Sequence, residues 1–296
     1  MKVGFIGVGN MGGPMCRNIV KKSNHQVTVF DLNAAALKTC TDLGATAAKS
    51  VAEVTKGADV VMTSLPMPKD VEAVTLGDNG ILANIGKGQT YIDLSTNAPS
   101  MVKKIGAAMA SKGIAMLDAP VSGGTGRAQS GELSVIVGGA AEVFEKCEDL
   151  FAVMGSRSFH VGPLGSGLAM KLVNNMLVQV NTVAVAEAMV LGVKAGLDPQ
   201  TIYEVVRVST GASAAWELRV PRILKGDFAP GGTIDISYKD QELETAFAKR
   251  LGVPLLLANL TQQIYQMARA QGLNKQDGAA IVKIFEQMAG VTVKGD

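Results

Sequence analysis

Val3-Gly4-Phe5-Ile6, a short apolar strand pattern, runs directly into Gly7-Val8-Gly9-Asn10-Met11-Gly12. A helical stretch from Met15 to Lys22 follows, and then a second strand, Val27-Thr28-Val29-Phe30, ending in Asp31. Three glycines at this spacing mean little alone. In the order strand, glycines, helix, strand, acidic residue they demand a βαβ unit built to receive a dinucleotide. Gly7 allows the tight turn, Gly9 lets backbone approach a pyrophosphate, and Gly12 permits close helix–strand contact. The helix N-terminus offers unpaired N–H groups and positive dipole to the phosphates. Asp31, about 20 residues on, is placed to accept hydrogen bonds from the ribose hydroxyls. A 2′-phosphate would be repelled there, and Leu32-Asn33 supplies no arginine to receive one. NAD is therefore expected, in preference to NADP.

The βα rhythm continues. A helix is expected near Val51 to Lys56, then strands over Asp59–Ser64, Thr90–Leu94 and Ile114–Leu117, with a helix from Pro99 to Lys112. Ligands of open parallel sheets bind beyond the carboxyl ends of the strands. Leu65-Pro66 and Ser95-Thr96 should therefore line the crevice, although Pro66 could equally serve only to stop a strand. Thr96, a hydroxyl just past a strand end, is a candidate for the nicotinamide side. Asp118-Ala119-Pro120-Val121-Ser122-Gly123-Gly124 ends another strand. Its hydroxyl and unobstructed amides make either a nest for a carboxylate or a simple chain reversal. Leu133–Val137 and Ser158–Val161 complete a first domain, residues 1–162.

Gly165 to Gly196 then reads as one long helix, apolar nearly all round and free of proline. Lys171, Asn174, Asn175, Gln179, Asn181 and Glu187 interrupt it, so no apolar run reaches the ~18 residues of a membrane span. Lys171, Asn174 and Asn175 stand at i, i+3, i+4 and share one face. Either they converge on a site, or the lysine snorkels outward and the amides bond backbone. Beyond Gly196 only helical patterns appear. Asp198-Pro199 opens one helix as a cap with proline first, and others are expected from Ala214, Ile234, Pro254 and Lys275. The expected architecture is α/β: a Rossmann-type doubly wound sheet (1–162), an inter-domain helix (163–195) and an all-α domain (196–296). Trp216 is either a core anchor or a pocket wall, and Lys239, beside Asp240, reads by itself as a surface ion-pair partner.

The formal charge of +2, with no basic block, argues against nucleic acid. Cys16, Cys40 and Cys147, lacking any CxxC, read as buried small hydrophobes in a reducing compartment. No cluster suits a metal, no leader segment is expected before the first strand, and a cytoplasmic enzyme is the natural reading. With only His25 and His160 in the chain, proton transfer falls to another group. His160 reads as a strand-end residue. The apolar helical half suggests a homodimer or homotetramer.

Four segments together resemble one family. They are Val3–Gly12 with Met15 and Asn18, Asp118–Gly124, Gly165-Ser166-Gly167 with Lys171-Leu172-Val173-Asn174-Asn175, and Lys239-Asp240. In this they look like the β-hydroxyacid dehydrogenases, and the resemblance spans essentially the whole chain. It implies that Lys171 is the general acid/base and that Asn175, with Asn174 beside it, bonds the substrate. It further implies that Ser122, Gly123 and Gly124 hold a small-molecule carboxylate, and that Leu65, Pro66, Thr96 and Lys239 contact NAD. Asn174 departs from the histidine of the larger 6-phosphogluconate dehydrogenases, so a sugar phosphate is not expected. Glu286–Val291 looks nearest the branches acting on 2-(hydroxymethyl)glutarate and tartronate semialdehyde. The chemistry fits: a lysine whose pKa burial lowers can take the hydroxyl proton and return it. The expected reaction is reversible NAD-linked oxidation of a 3-hydroxy acid to its semialdehyde. A non-catalytic NAD-binding protein is the alternative of another class.

Overall fold

The computed structural model describes residues 1–295. Nine strands are present among them: β1 (Lys2–Ile6), β2 (Gln26–Phe30), β3 (Thr46–Ala47), β4 (Val60–Thr63), β5 (Thr90–Asp93), β6 (Ala115–Asp118), β7 (Val121–Ser122), β8 (Leu133–Gly138) and β9 (Gly155–Gly162). They form one sheet in the order β3-β2-β1-β4-β5-β6-β8-β7, with β9 paired to β8. All pairings from β3 to β6 are parallel, and β8 turns antiparallel to β6. Order reverses between β1 and β4, which makes that edge the crevice of a doubly wound sheet. The four residues of β4, Val60-Val61-Met62-Thr63, are all buried, as a parallel strand covered on both faces must be.

The helices of this first unit are α1 (Gly12–Lys22), α2 (Ala34–Thr41), α3 (Val51–Thr55), α4 (Pro68–Leu76), α5 (Ile81–Asn84), α6 (Pro99–Ala110), α7 (Gly124–Ser130), α8 (Ala141–Lys146) and α9 (Glu148–Met154). Helix α1 starts at Gly12, earlier than the apolar pattern from Met15 suggests. Sequence patterning also passes over α2, α4, α5, α7, α8, α9, β3 and β7. Each is shorter than the window over which a helical or strand period becomes readable. Cys16, Cys40 and Cys147 are buried free thiols, as composition suggests.

Helix α10 runs from Ser166 to Lys194. Compactness divides the chain within it, into a unit ending at Lys171 and one beginning at Leu172. Among the described residues α10 is the one helix long and apolar enough to cross a bilayer by length and composition. The second unit continues with α11 (Pro199–Arg207), α12 (Ala214–Lys225), α13 (Ile234–Leu251), α14 (Leu256–Ala270), a 3-10 turn (Gly278–Ile281) and α15 (Val282–Ala289). The last helical segment thus begins at Gly278 rather than Lys275. Asp277 caps it by accepting from Ala279 N, while Gly278 N donates to the Gly232 carbonyl at 3.0 Å. The unit's core gathers Met189, Trp216, Val220, Tyr265 and Ile281. Trp216 is an anchor of this core, its Nε1 donating to the Tyr203 carbonyl at 3.3 Å.

The N-terminus of α10 is closed by a residue far away in sequence. Gly165 N donates to Asp118 Oδ1 and Leu168 N to Asp118 Oδ2, each at 2.7 Å. One carboxylate at the end of β6 thereby satisfies two amides that a helix start leaves orphaned. The backbone comes so close that a Cβ on Gly167 would lie 2.6 Å from the carbonyl oxygens of both Asp118 and Ile136. Gly167 is therefore a packing requirement of this junction, while Gly165 is required by its φ of 94°.

Burial raises the Asp118 carboxyl to about 6, opposed by the Gly165 and Leu168 amides and reinforced by the neighbouring Asp93 charge. Between the ordinary carboxylate value near 4 and this raised value, the folded chain holds a proton that the unfolded chain has released. This group's contribution to stability therefore grows as pH falls from 7 to 4. Chemical denaturation of the wild type and Asp118→Asn at both pH values checks this. The wild type should gain on the variant by on the order of 2 kcal/mol on acidification.

Candidate active site

The glycine loop between β1 and α1 has the geometry its spacing implies. Gly7 sits at φ 88° and donates its N–H to the Phe30 carbonyl at 2.9 Å. A Cβ on Gly12 would collide with the Gly7 carbonyl, while one on Gly9 would meet nothing within 4 Å. Gly12 is thus required by packing, whereas Gly9 leaves open space where a phosphate can approach. Asn10 and Met11 form the turn into α1, and Gly9 O accepts from Gly13 N at 2.8 Å. Asp31 is held by both oxygens: Oδ2 accepts from Val8 N at 2.7 Å and Oδ1 from Asn33 N at 2.8 Å. Its carboxylate is oriented before any ligand arrives.

Gly7, Gly9, Asp31, Leu65 and Pro66 line a single cleft of about 860 Å³, within the size range of cofactor sites. The cleft's far wall is one that sequence reasoning missed. Asp70, Ala73 and Val74 of α4 and the Gly77-Asp78-Asn79-Gly80 turn complete it. The glycine-bracketed Asp-Asn was the available signal, a turn between Pro66 and the next strand. Asn10, Met11, Gly12 and Thr96 do not line this cleft. Thr96 follows Ser95, whose Oγ accepts from Leu65 N at 2.9 Å, so the two strand-end loops are tied together.

Ser122 ends β7, and Gly123 and Gly124 follow with φ of 137° and 73°. The loop turns directly into α7, so it is both a chain reversal and a run of backbone amides beside a hydroxyl. His160 Nε2 lies 2.8 Å from the Gly139 carbonyl and its ring lies against Phe144. It is the strand residue expected from its position.

On α10, Lys171 is buried, with 8% of its surface exposed, which removes the snorkelling alternative. Farther along the helix, Asn174 Nδ2 donates to Asn175 Oδ1 at 3.3 Å. Asn175 Nδ2 donates in turn to Asp240 Oδ2 on α13 at 2.8 Å. Lys239 is not a surface residue: it too is 8% exposed, with Nζ 2.8 Å from Asp240 Oδ1. The surface reading fails because α13 turns this edge inward, burying Ser237, Lys239, Asp240, Gln241 and Glu244. Asp240 is the residue of this cluster that sequence reasoning left without a place. Its two oxygens hold an amide of α10 and the ammonium beside it, and a Lys-Asp pair in a helix gives no warning of that.

Leu32, 94% exposed, lines the cleft beside Asp31, so a basic side chain there tests the expectation that Asp31 faces the ribose. Asp31→Ala combined with Leu32→Arg should raise the ratio of NADP to NAD affinity by about tenfold or more, a gain of roughly 1.4 kcal/mol. Fluorescence titration with both nucleotides measures it, and an unchanged NADP affinity would remove Asp31 from the ribose site.

Comparison with known proteins agrees with this geometry. Residues 2–162 match the family described as the NAD-binding domain of 6-phosphogluconate dehydrogenase. Residues 165–285 match the family described as NAD-binding of NADP-dependent 3-hydroxyisobutyrate dehydrogenase. A 2-(hydroxymethyl)glutarate dehydrogenase of Eubacterium barkeri is 41% identical, over 100% of this chain and 98% of its own. An NAD-dependent L-serine dehydrogenase of Pseudomonas aeruginosa is 38% identical, over 98% and 99% respectively. The crystal structure of a 3-hydroxyisobutyrate dehydrogenase from Salmonella typhimurium superimposes with a TM-score of 0.88 at 30% identity, covering 96% of this chain and 100% of its own. Dinucleotide cleft, buried lysine helix and end-to-end similarity agree, and the chain belongs to the β-hydroxyacid dehydrogenase family of NAD-dependent oxidoreductases acting on CH–OH groups.

Proposed function

We propose that this protein catalyses the reversible oxidation of a 3-hydroxy acid bearing a primary alcohol to the corresponding semialdehyde, with Lys171 as general acid/base. The observation that carries the reading is a buried ammonium one helical turn from Asn175 on α10, with that amide already oriented by Asp240. NAD, when bound, supplies the hydride acceptor. The chain's own residues hold the substrate and move the proton. The Ser122 hydroxyl and the Gly123 and Gly124 amides take the carboxylate, and the Asn175 amide fixes the hydroxyl. Lys171 accepts the hydroxyl proton in oxidation and returns it in reduction, a role worth on the order of 10²–10⁴ in rate. Lys239 and Thr96 contact the cofactor.

The named relatives act on 2-(hydroxymethyl)glutarate and L-serine, both carrying a CH₂OH group and a carboxylate. Substrates of that shape are what the assigned groups can hold. An initial-rate panel of 3-hydroxyisobutyrate, glycerate, 2-(hydroxymethyl)glutarate and L-serine with NAD and NADP tests the reading. One NAD-linked substrate should dominate. Lys171→Ala should lose at least about a hundredfold in kcat while its NAD affinity stays within about twofold. Turnover that survives the substitution sinks the lysine role, and silence across the panel with NAD bound favours a non-catalytic protein.

We also propose a homo-oligomer, assembled through α10, in the cytoplasm, where the three free thiols stay reduced. Met170, Val173, Leu177, Ala184 and Leu191 are exposed along α10 at spacings that keep them on one face. Leu191 alone is 72% exposed. A stripe of this kind asks for a partner. Leu177→Asp combined with Leu191→Asp should convert a dimer or tetramer to monomer in light scattering, and an unchanged mass would place the interface elsewhere.

A further inference from the structure

Strand β5 and the residues just beyond it alternate strictly. Ile92 and Leu94 enter the apolar core, while Tyr91, Asp93 and Ser95 share the other face, as strand periodicity requires. Those three residues make one connected set of bonds, and all but the local Ser95 N to Asp93 bond reach β4, the loop carrying Leu65 and Pro66, or α4. The Tyr91 hydroxyl lies 2.8 Å from Thr63 Oγ1 and 3.2 Å from Thr75 Oγ1. Asp93 Oδ1 accepts from Thr63 Oγ1 and from Ser95 N, each at 3.0 Å. Ser95 Oγ accepts from Leu65 N at 2.9 Å. The loop after β4 is therefore pinned before its start by Thr63, within it by Leu65, and after it by Thr75 on α4.

Thr63, Thr75, Tyr91 and Asp93 are all completely buried. Placing a carboxyl group there is costly, and the cost is only partly offset. Asp93 Oδ2 and the nearby Asn97 Nδ2 are buried with no hydrogen-bond partner, and burial pushes the Asp93 carboxyl above its ordinary range. The sheet does not need these side chains, because β5 is already paired by backbone on both edges, to β4 and β6. What the side chains do is fix two loops against each other at the carboxyl ends of β4 and β5, where the ligand crevice of such a sheet opens.

We propose that Asp93 is a positioning residue, which with Tyr91 and Ser95 sets the Leu65-Pro66 and Ser95-Thr96 loops for the nicotinamide end of the cofactor. It touches no reacting atom and acts through those loops. The inference rests on the cofactor reading above, and its test separates the two.

The test compares NAD with ADP, which keeps the adenosine and pyrophosphate but lacks the nicotinamide riboside. Dissociation constants for both are measured by calorimetry on the wild type, Asp93→Ala, Asp93→Asn and Ser95→Ala. ADP binding should weaken clearly less than NAD binding in every variant, because Gly7, Gly9 and Asp31 are untouched and only the Leu65-Pro66 wall of their cleft is disturbed. NAD binding should weaken about tenfold in Asp93→Ala and less in Ser95→Ala, a loss a general destabilisation would share with ADP. Asp93→Asn should recover NAD binding, since its amide oxygen still accepts from Thr63 and Ser95. Equal weakening of NAD and ADP, unchanged NAD binding, or an Asn variant no better than Ala overturns the positioning role. If Asp93→Ala fails to fold, Ser95→Ala decides: selective loss of NAD binding supports the role, and its absence overturns it. A wild type that binds ADP but not NAD overturns this proposal and the cofactor reading together.

Discussion

The two hydrogen bonds from Gly165 N and Leu168 N to the Asp118 carboxylate join the sheet to the helix that carries Lys171. Helix α10 begins against the carboxyl end of β6 with almost no space between backbones. A carboxylate supplied from β6 closes its first turn, and the favourable direction of the helix dipole adds to the bonds. The orientation of everything downstream on the first turns of α10 follows from that junction. It explains why glycine stands at 167, and why an acidic residue ends a strand that otherwise has no need of one.

A second constraint operates at the neighbouring strand end. Asp93 on β5 stands opposite Asp118 on β6 in register, so two buried carboxylates sit side by side at the top of the sheet. Each is committed to a different task. Asp118 anchors a helix, while Asp93 ties loops to each other. Their mutual repulsion and desolvation are only partly offset by hydrogen bonds from backbone amides and hydroxyls, so both carboxyls are held above their ordinary range. Polar groups placed this way make the carboxyl edge of the sheet a rigid frame, on which the glycine loop, the Leu65-Pro66 loop and Ser122-Gly123-Gly124 are displayed.

Legibility from sequence followed the range of the interactions involved. The glycine loop, Asp31 and the long helix were readable because their physics is local: a turn needs φ > 0, a helix start attracts phosphate, and an apolar face repeats every few residues. Lys171, Asn174 and Asn175 could be placed on one face of a helix, but whether that face was buried could not be read, since spacing does not reveal what packs against it. Lys239 shows the same limit in the other direction. Its neighbours along α13 are as polar as those of any exposed helix, and only the packing of that edge inward makes the lysine a buried group paired with Asp240. The far wall of the cleft was hidden because α4 and the Gly77–Gly80 turn are short and become a wall only when the sheet twists them into place.

The sequence by itself determined the βαβ order, the cofactor-binding loop with its preference for NAD, the long helix and the residues able to do proton chemistry. These follow from short-range rules of backbone conformation, periodicity and charge. The tertiary structure decided which carboxylate closes α10, which amide of α10 meets Asp240, and how Tyr91, Asp93 and Ser95 brace two loops. Apart from the local Ser95 N to Asp93 bond, those partners lie from 16 to 65 residues apart in the chain, and nothing local encodes a pairing across such distances. A buried hydrogen bond is specified only when packing removes water and leaves each polar group one partner.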